Sequence, residues 1–236
     1  MDSLVIVSGG TKGIGKATVE RFMAAGHDVV TCSRNEADLL ALQASLQEEN
    51  SPSRLFIHVA DMSVKKEVAS FVNFIKGLNR PVDVLVNNTG IFVPGQIHNE
   101  PEDILENIIE TNLYSAYYLT RGLVEGMIER KKGHIFNLCS TASITAYPNG
   151  GSYCISKFAL YGMTKVLREE LKPHGIKVTA ILPGATLTAS WEGADLPPER
   201  FIQANDISET IFSAYNLSMN AVIEEILIRP QLGDIN

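Results

Sequence analysis

The first fifteen residues constrain the fold of this chain more than any other stretch. Leu4-Val5-Ile6-Val7 is an unbroken apolar run of strand length, rich in β-branched residues, the pattern of a strand buried on both faces of a parallel sheet. It runs straight into Ser8-Gly9-Gly10-Thr11-Lys12-Gly13-Ile14-Gly15, and the glycines then give way to an amphipathic segment over 16–25 closed by Gly26. Strand, glycine-rich turn and helix together make a place for phosphate. Glycines let the backbone approach a pyrophosphate, and a helix N-terminus offers N–H groups and the positive end of its dipole. Residues 10–17 also come near the mononucleotide pattern G-x-x-x-x-G-K-[ST], but Ala17 brings no hydroxyl for magnesium. A tight turn with no ligand is the plainer alternative.

The same alternation continues along the chain. Strand-like runs fall near 4–8, 28–33, 54–60, 82–87, 134–139, 177–182 and 222–228, with helical segments near 13–25, 35–49, 63–78, 101–131, 152–172 and 206–218. This predicts an α/β fold: a doubly wound parallel β-sheet of about seven strands with helices on both faces, because right-handed crossovers put them there. Gly9, Asn87, Ser140 and Pro183 all lie just past predicted strand ends, so one crevice can gather them. With 236 residues and 45% apolar content, no linker and no repeat, residues 1–236 read as a single domain. No apolar run approaches the roughly 20 residues of a membrane span, and the N-terminus begins at once with the first strand, so the expectation is a soluble protein with no signal peptide or membrane partner. Cys32, Cys139 and Cys154 form an odd set without metal spacing, which fits reduced thiols in the cytoplasm. The five histidines are scattered, so no metal site is expected. A net charge of −7 argues against a nucleic-acid footprint.

Within Gly151-Ser152-Tyr153-Cys154-Ile155-Ser156-Lys157, a phenol and an ammonium stand four residues apart and share a helix face. Tyrosine, with an ordinary pKa of about 10, is a poor acid or base at neutral pH, and a neighbouring cation makes it usable by favouring the phenolate. Taken alone, the pair also suits a half-buried Tyr beside a solvated Lys.

Combined with the spacing Gly9-x-x-x-Gly13-x-Gly15, the Tyr153/Lys157 pair resembles the short-chain dehydrogenase/reductase family, and the resemblance covers nearly the whole chain. Ser8 stands where the family usually has Thr. Asn87-Asn88-Thr89-Gly90 is similar to the family's Asn-Asn-Ala-Gly segment, with Thr89 for Ala. Asn112 matches a helix Asn that anchors a proton-relay water, Ser140 precedes Tyr153 by the usual interval, and Thr188, after Pro183-Gly184, matches the threonine that meets the nicotinamide carboxamide. The resemblance implies a Rossmann-type sheet of strand order 3-2-1-4-5-6-7, with Asn112, Ser140, Tyr153 and Lys157 catalytic. Tyr153 would exchange the proton with a carbonyl or secondary alcohol, Lys157 would lower its pKa and bond the nicotinamide ribose, and Ser140 would steady the developing charge. It further implies a cofactor site of Gly9, Thr11, Lys12, Gly13, Ile14, Gly15, Ser33, Arg34, Asp61, Met62, Asn88, Gly90, Pro183, Gly184, Thr186 and Thr188, together with Tyr153 and Lys157.

Which nicotinamide cofactor is bound turns on Ser33-Arg34 at the end of the second strand. An NAD site wants an acid there for the ribose 2′-hydroxyl, whereas an NADP site supplies cations for the 2′-phosphate. Asp28 sits at the wrong end of that strand, and Lys12 adds a second cation, so NADP(H) is expected; a merely solvated Arg34 is the other reading. Asp61 has two roles open to it, adenine contact or helix N-cap. The segment 185–205 would form the substrate lid, with Trp191 as substrate contact or core cover in equal measure, and Phe92 and Tyr147 as further walls. The C-terminal stretch, without a Gly-Gly tail, resembles the serine-type and sepiapterin-like reductases of the family. An NADP(H)-dependent carbonyl reductase or alcohol dehydrogenase is therefore expected. A dinucleotide-binding sensor without catalysis is the alternative, and an epimerase or dehydratase usually needs a longer substrate domain. Apolar residues beyond one stripe on 101–131 and 152–172, including Tyr114, Tyr117, Tyr118, Leu160 and Met163, imply a homodimer or homotetramer.

Overall fold

The structure, a computed structural model, describes residues 3–46, 53–188 and 195–235. Strand β1 (Leu4–Ser8) leads into helix α1 (Gly13–Ala24), then β2 (Asp28–Ser33), α2 (Glu36–Leu46), β3 (Leu55–Val59), α3 (Lys65–Gly77) and β4 (Val82–Asn87). The second half follows as α4 (Ile104–Ile109), α5 (Ser115–Arg130), β5 (Gly133–Leu138), α6 (Gly151–Leu171), β6 (Ile176–Pro183), α7 (Ala204–Tyr215) and β7 (Glu225–Ile228). All neighbouring strands pair in parallel, and the sheet order is β3-β2-β1-β4-β5-β6-β7.

Because successive side chains on a strand point to opposite faces, β1 feeds two cores at once. Leu4 and Ile6 join Leu85, Ile135 and Val178 against Phe71 of α3 and Leu119 and Met127 of α5. Val5 and Val7 join Val84, Phe136 and Ile181 on the other face, against Phe22 of α1 and Ile207 and Ile211 of α7. Phe22 is wholly enclosed, in edge contact with Phe212 and Tyr215, so truncating it to Ala is expected to cost about 3–5 kcal/mol. No helix among the described residues is long and apolar enough to cross a membrane.

Several boundaries differ from those expected, among them the end of the last helix, at Tyr215 rather than 218, and the start of α3, at Lys65 rather than 63. Asp103 adopts a left-handed conformation (φ 68°), which delays the helix expected from 101 until Ile104. That helix is also not continuous: Glu110–Tyr114 is a π-helical turn between α4 and α5. A capping box between Gln203 and Asp206 starts α7 two residues early, and β7 begins at Glu225 rather than 222. Helix α2 is described only to Leu46, so the expected extension to 49 lies outside the described residues. Leu160, expected at an interface, is instead packed in a small core with Ala116 and Leu182. Tyr114 and Tyr117 are exposed, as are Ile155, Phe158 and Val166 on α6.

Candidate active site

The sheet reverses its winding between β1 and β4, and the loops after those strands meet there. Gly9 turns the chain out of β1 with a positive φ of 68°. A Cβ at Gly15 would stand 2.2 Å from the Gly9 carbonyl oxygen and 2.4 Å from Asn88 Nδ2, so only glycine allows α1 to come this close to the strand end. Asn88 closes the loop by donating from Nδ2 to the carbonyls of Ser8 (2.9 Å) and Gly9 (3.0 Å). The Ser8 hydroxyl accepts from the backbone N–H groups of Asn88 and Thr89, both at 3.1 Å, so the serine supplies the hydroxyl expected of a threonine there. The Thr89 hydroxyl, by contrast, is buried without a hydrogen-bond partner and lies against Gly9.

Helix α1 starts at Gly13 with no side-chain cap and no acid in its first turn. Its leading N–H groups and positive dipole end suit a phosphate, and the bare glycine backbone leaves room for one, so the residues fit a dinucleotide. At the far edge, Thr11 Oγ1 donates to Ser33 Oγ at 3.3 Å, bringing the glycine loop to the end of β2. Arg34 is exposed there. Lys12 is 72% exposed and pairs with Asp38 of α2 at 3.3 Å, an acid the sequence reading did not place beside it. Asp28, at the start of β2, is engaged by Arg80 at 2.6 Å at the opposite end of the strand. Asp61 Oδ1 accepts from Ser63 N (2.9 Å) and Ser63 Oγ (2.7 Å), shaping the turn before α3, whose N-cap residue is Val64. Asp61 therefore does not cap that helix. The Met62 side chain belongs to the core.

Ser140 follows β5 and opens a short 3₁₀ turn, Thr141–Ser143, accepting from the Ala142 N–H at 3.1 Å. Tyr153 and Lys157 lie one helical turn apart near the start of α6. The Lys157 ammonium donates to the Leu138 carbonyl at 2.7 Å and lies 5.8 Å from the centre of the Tyr153 ring. Lys157 is expected to lower the Tyr153 pKa, but the net shift is upward. Burial dominates and pushes the phenol up to about 12, while a hydrogen bond with Ser140 pulls the other way. Burial also lowers Lys157 to about 8.

Asn112 sits in the π-helical turn, wholly buried. Its amide group donates to the Ile91 carbonyl (3.0 Å) and to Ser156 Oγ (3.0 Å), and its Oδ1 accepts from Ile91 N at 2.7 Å. Both amide hydrogens are thus committed to protein, which leaves only carbonyl oxygen for the expected relay water. Gly90 marks the spot: a Cβ there would be 3.3 Å from Asn112 Oδ1 and 3.4 Å from Lys157 Nζ.

These groups border a cavity of about 740 Å³. Ser140, Tyr153, Lys157, Ile14, Asn88 and Gly90 line it, as do Pro183, Gly184, Thr186, Thr188 and the expected walls Phe92 and Tyr147. Phe92 packs edge-on against Tyr153, with ring centres 4.9 Å apart. Gly9, Thr11, Lys12, Gly13, Gly15, Ser33, Arg34 and Asp61 are not among the residues that line this cavity. Trp191 falls outside the described residues; Thr186 and Ile202 pair in an isolated parallel β-bridge. Asp234 and Ile235, which the sequence reading missed, also line the cavity. A turn from Pro230 to Gly233 folds the C-terminal stretch back over Gly184, and an Arg229–Asp234 ion pair holds it there. Pro230-x-x-Gly233 is a turn signal visible in the sequence, but where the turn delivers the chain depends on the sheet.

Comparison with known proteins agrees with this geometry. The short chain dehydrogenase family matches residues 3–196. A sepiapterin reductase from Chlorobaculum tepidum is 30% identical over 100% of this chain and 99% of its own. A metagenomic short-chain oxidoreductase solved in complex with NADP is 26% identical, with a TM-score of 0.84, over 98% of this chain and 97% of its own. The closed form of a serine dehydrogenase complexed with NADP+ is 27% identical, also with a TM-score of 0.84, over 95% of this chain and 93% of its own. With the glycine turn, the strand order and this match across most of its length, the chain belongs to the short-chain dehydrogenase/reductase family of oxidoreductases.

Proposed function

We propose that this protein is an NADP(H)-dependent reductase that converts a carbonyl compound to a secondary alcohol, with Tyr153 as the proton donor. The observation that carries this reading is a tyrosine that lines a cavity beside a second hydroxyl-bearing residue, Ser140. With its pKa near 12, Tyr153 holds its proton throughout the neutral range and can give it to a carbonyl oxygen gaining charge. Ser140 lines the same cavity and offers that oxygen a hydrogen bond as the charge grows. Lys157 places a positive charge beneath the site, favouring the phenolate left behind. The nicotinamide, when bound, supplies the hydride. Lys157 would hold the nicotinamide ribose, Thr188 the carboxamide, and Gly9, Gly13, Ile14, Gly15, Asn88 and Gly90 the diphosphate side of the cofactor. Asp61 and Met62 would border the adenine.

Thr11, Lys12, Ser33 and Arg34 would meet the 2′-phosphate, a reading supported by the Thr11–Ser33 hydrogen bond, which joins the glycine loop to the end of β2, and by the NADP carried by the two structural relatives above. Asp38 tempers this by pairing with Lys12. The remaining features follow from the same reading: a single catalytic domain, residues 185–205 as substrate cover, and a homodimer or homotetramer. The three buried free thiols suit the cytoplasm. Screening carbonyl compounds for NADPH oxidation tests the proposal. Turnover of at least one compound class is expected, and NADPH binding with no turnover across the panel would favour a sensor instead.

A further inference from the structure

Helix α6 carries Tyr153 as its third residue, yet it begins without a cap of its own. Gly150, the N-cap residue, has no side chain to satisfy the leading N–H groups. The missing acceptor comes from far away in sequence: Glu100 Oε1 accepts from Ser152 N at 3.0 Å, and its Oε2 accepts from Ser152 Oγ at 2.5 Å. A carboxylate at a helix N-terminus is favoured by the dipole, and its hydrogen bonds are charge-assisted. Two glycines make room for it. A Cβ on Gly151 would stand 1.9 Å from Glu100 Oε1, and one on Gly95 would stand 2.6 Å from Glu100 Cγ.

The loop that delivers Glu100 is also a wall of the cavity. It starts at Ile91, which Asn112 fastens to Ser156 of α6. Next comes Phe92, edge-on against Tyr153. The Gly95 N–H then donates to the Asn149 carbonyl at 3.0 Å, and Gln96 Nε2 donates to Asn149 Oδ1 at 2.9 Å. Glu100 closes the circuit on Ser152. The loop is thus tied to α6 one residue before Tyr153 and three residues after it.

We propose that Glu100 is a positioning residue: by capping the catalytic helix from the substrate-wall loop, it fixes the Tyr153 phenol and the Phe92 wall as one unit. This rests on Tyr153 being the proton donor. Misplacement of a reacting group by about 1 Å can cost on the order of 10²-fold in rate, so loss of the tie should appear in kcat before it appears in cofactor binding.

The test uses the full chain and the most active carbonyl found by screening. Glu100→Ala should keep NADPH affinity within about two-fold while kcat falls ten- to a hundred-fold. Glu100→Gln, whose amide oxygen still accepts from Ser152 N, should recover kcat to within about three-fold of the parent. In a Tyr153→Phe background, Glu100→Ala should add almost nothing, because it acts through the phenol. If Glu100→Ala does not fold, Glu100→Asp, one methylene too short to reach Ser152 in the same way, should show the same loss of kcat. Parent-level kcat in the Ala variant, or in the Asp variant where that one is used, overturns the proposal, as do equal losses in Ala and Gln or a full additional loss in the Tyr153→Phe background. Tyr153→Phe at parent activity would instead overturn the proton-donor reading itself, and the positioning role with it.

Discussion

An ammonium enclosed by protein weakens the fold that encloses it, and Lys157, 5% exposed with the Leu138 carbonyl as its acceptor, is such a group. Its pKa is lowered from 10.5 to about 8 by burial, so between those values the unfolded chain holds a proton that the folded chain has released. Stability from this group therefore rises as pH climbs through 8 toward 10. Lys157→Met removes the effect: relative to that variant, the parent should gain about 2 kcal/mol between pH 7 and 9.5 in urea unfolding. Parallel stability curves would show that the ammonium is not desolvated. Under the proposed cofactor reading, Arg34 and Lys12 would act on the ligand. Charge-assisted bonds to a 2′-phosphate contribute roughly 1.5–3 kcal/mol each, reduced by exposure and salt, so a preference for NADPH over NADH of about ten-fold to a few hundred-fold is expected. Arg34→Asp should shift the ratio of kcat/KM values toward NADH, and Asp38→Asn, which releases Lys12, should shift it further toward NADPH. Equal use of both cofactors by the parent would contradict the 2′-phosphate reading.

Among the elements, α6 exposes several large apolar side chains beside the π-turn and α5. Phe158 is 45% exposed and Val166 55%, with Ile155 on the same helix and Tyr114 and Tyr117 on the neighbouring π-turn and α5. Large side chains in this density suit a two-fold helix pairing. Light scattering should give two or four times the 25.8 kDa chain mass, and Phe158→Glu with Val166→Glu should reduce it. A parent monomer at every concentration would contradict the assembly. The strands were legible in the sequence because each core strand is buried on both faces, which demands runs such as Leu4-Val5-Ile6-Val7 and Val82–Asn87. The π-turn at Glu110–Tyr114 was not, since its cause is long-range: Asn112 reaches Ile91 and Ser156. Nor was the capping of α6, whose acceptor lies 52 residues away at Glu100. Leu160 was misplaced because periodicity cannot tell an interface stripe from a second core.

At the scale of the molecule, the strand order explains why residues from Ser8 to Pro183 meet. The reversal between β1 and β4 leaves a crevice at the carboxyl ends of the strands, lined by Asn88, Ser140 and Pro183; Gly9 does not line it, and Asn87, also expected there, is buried and donates to Thr120 Oγ1 and Asn137 Oδ1 instead. The placement of Ser140 and Pro183 on the cavity wall was legible because motif and topology specify the same places. The C-terminal wall of Asp234 and Ile235 was not, because its placement depends on where the turn after β7 lands. The Tyr153 environment was half legible: the pair with Lys157 was visible, but the burial that dominates the phenol's upward shift depends on how the surrounding loops pack. Tyr153→Phe keeps the ring that packs on Phe92 and removes only the transferable proton. With NADPH and the most active carbonyl, the variant's kcat should fall by on the order of 10² or more while the Kd for NADPH stays within about two-fold of the parent's; turnover within a few-fold of the parent would contradict the assignment of Tyr153 as the proton donor.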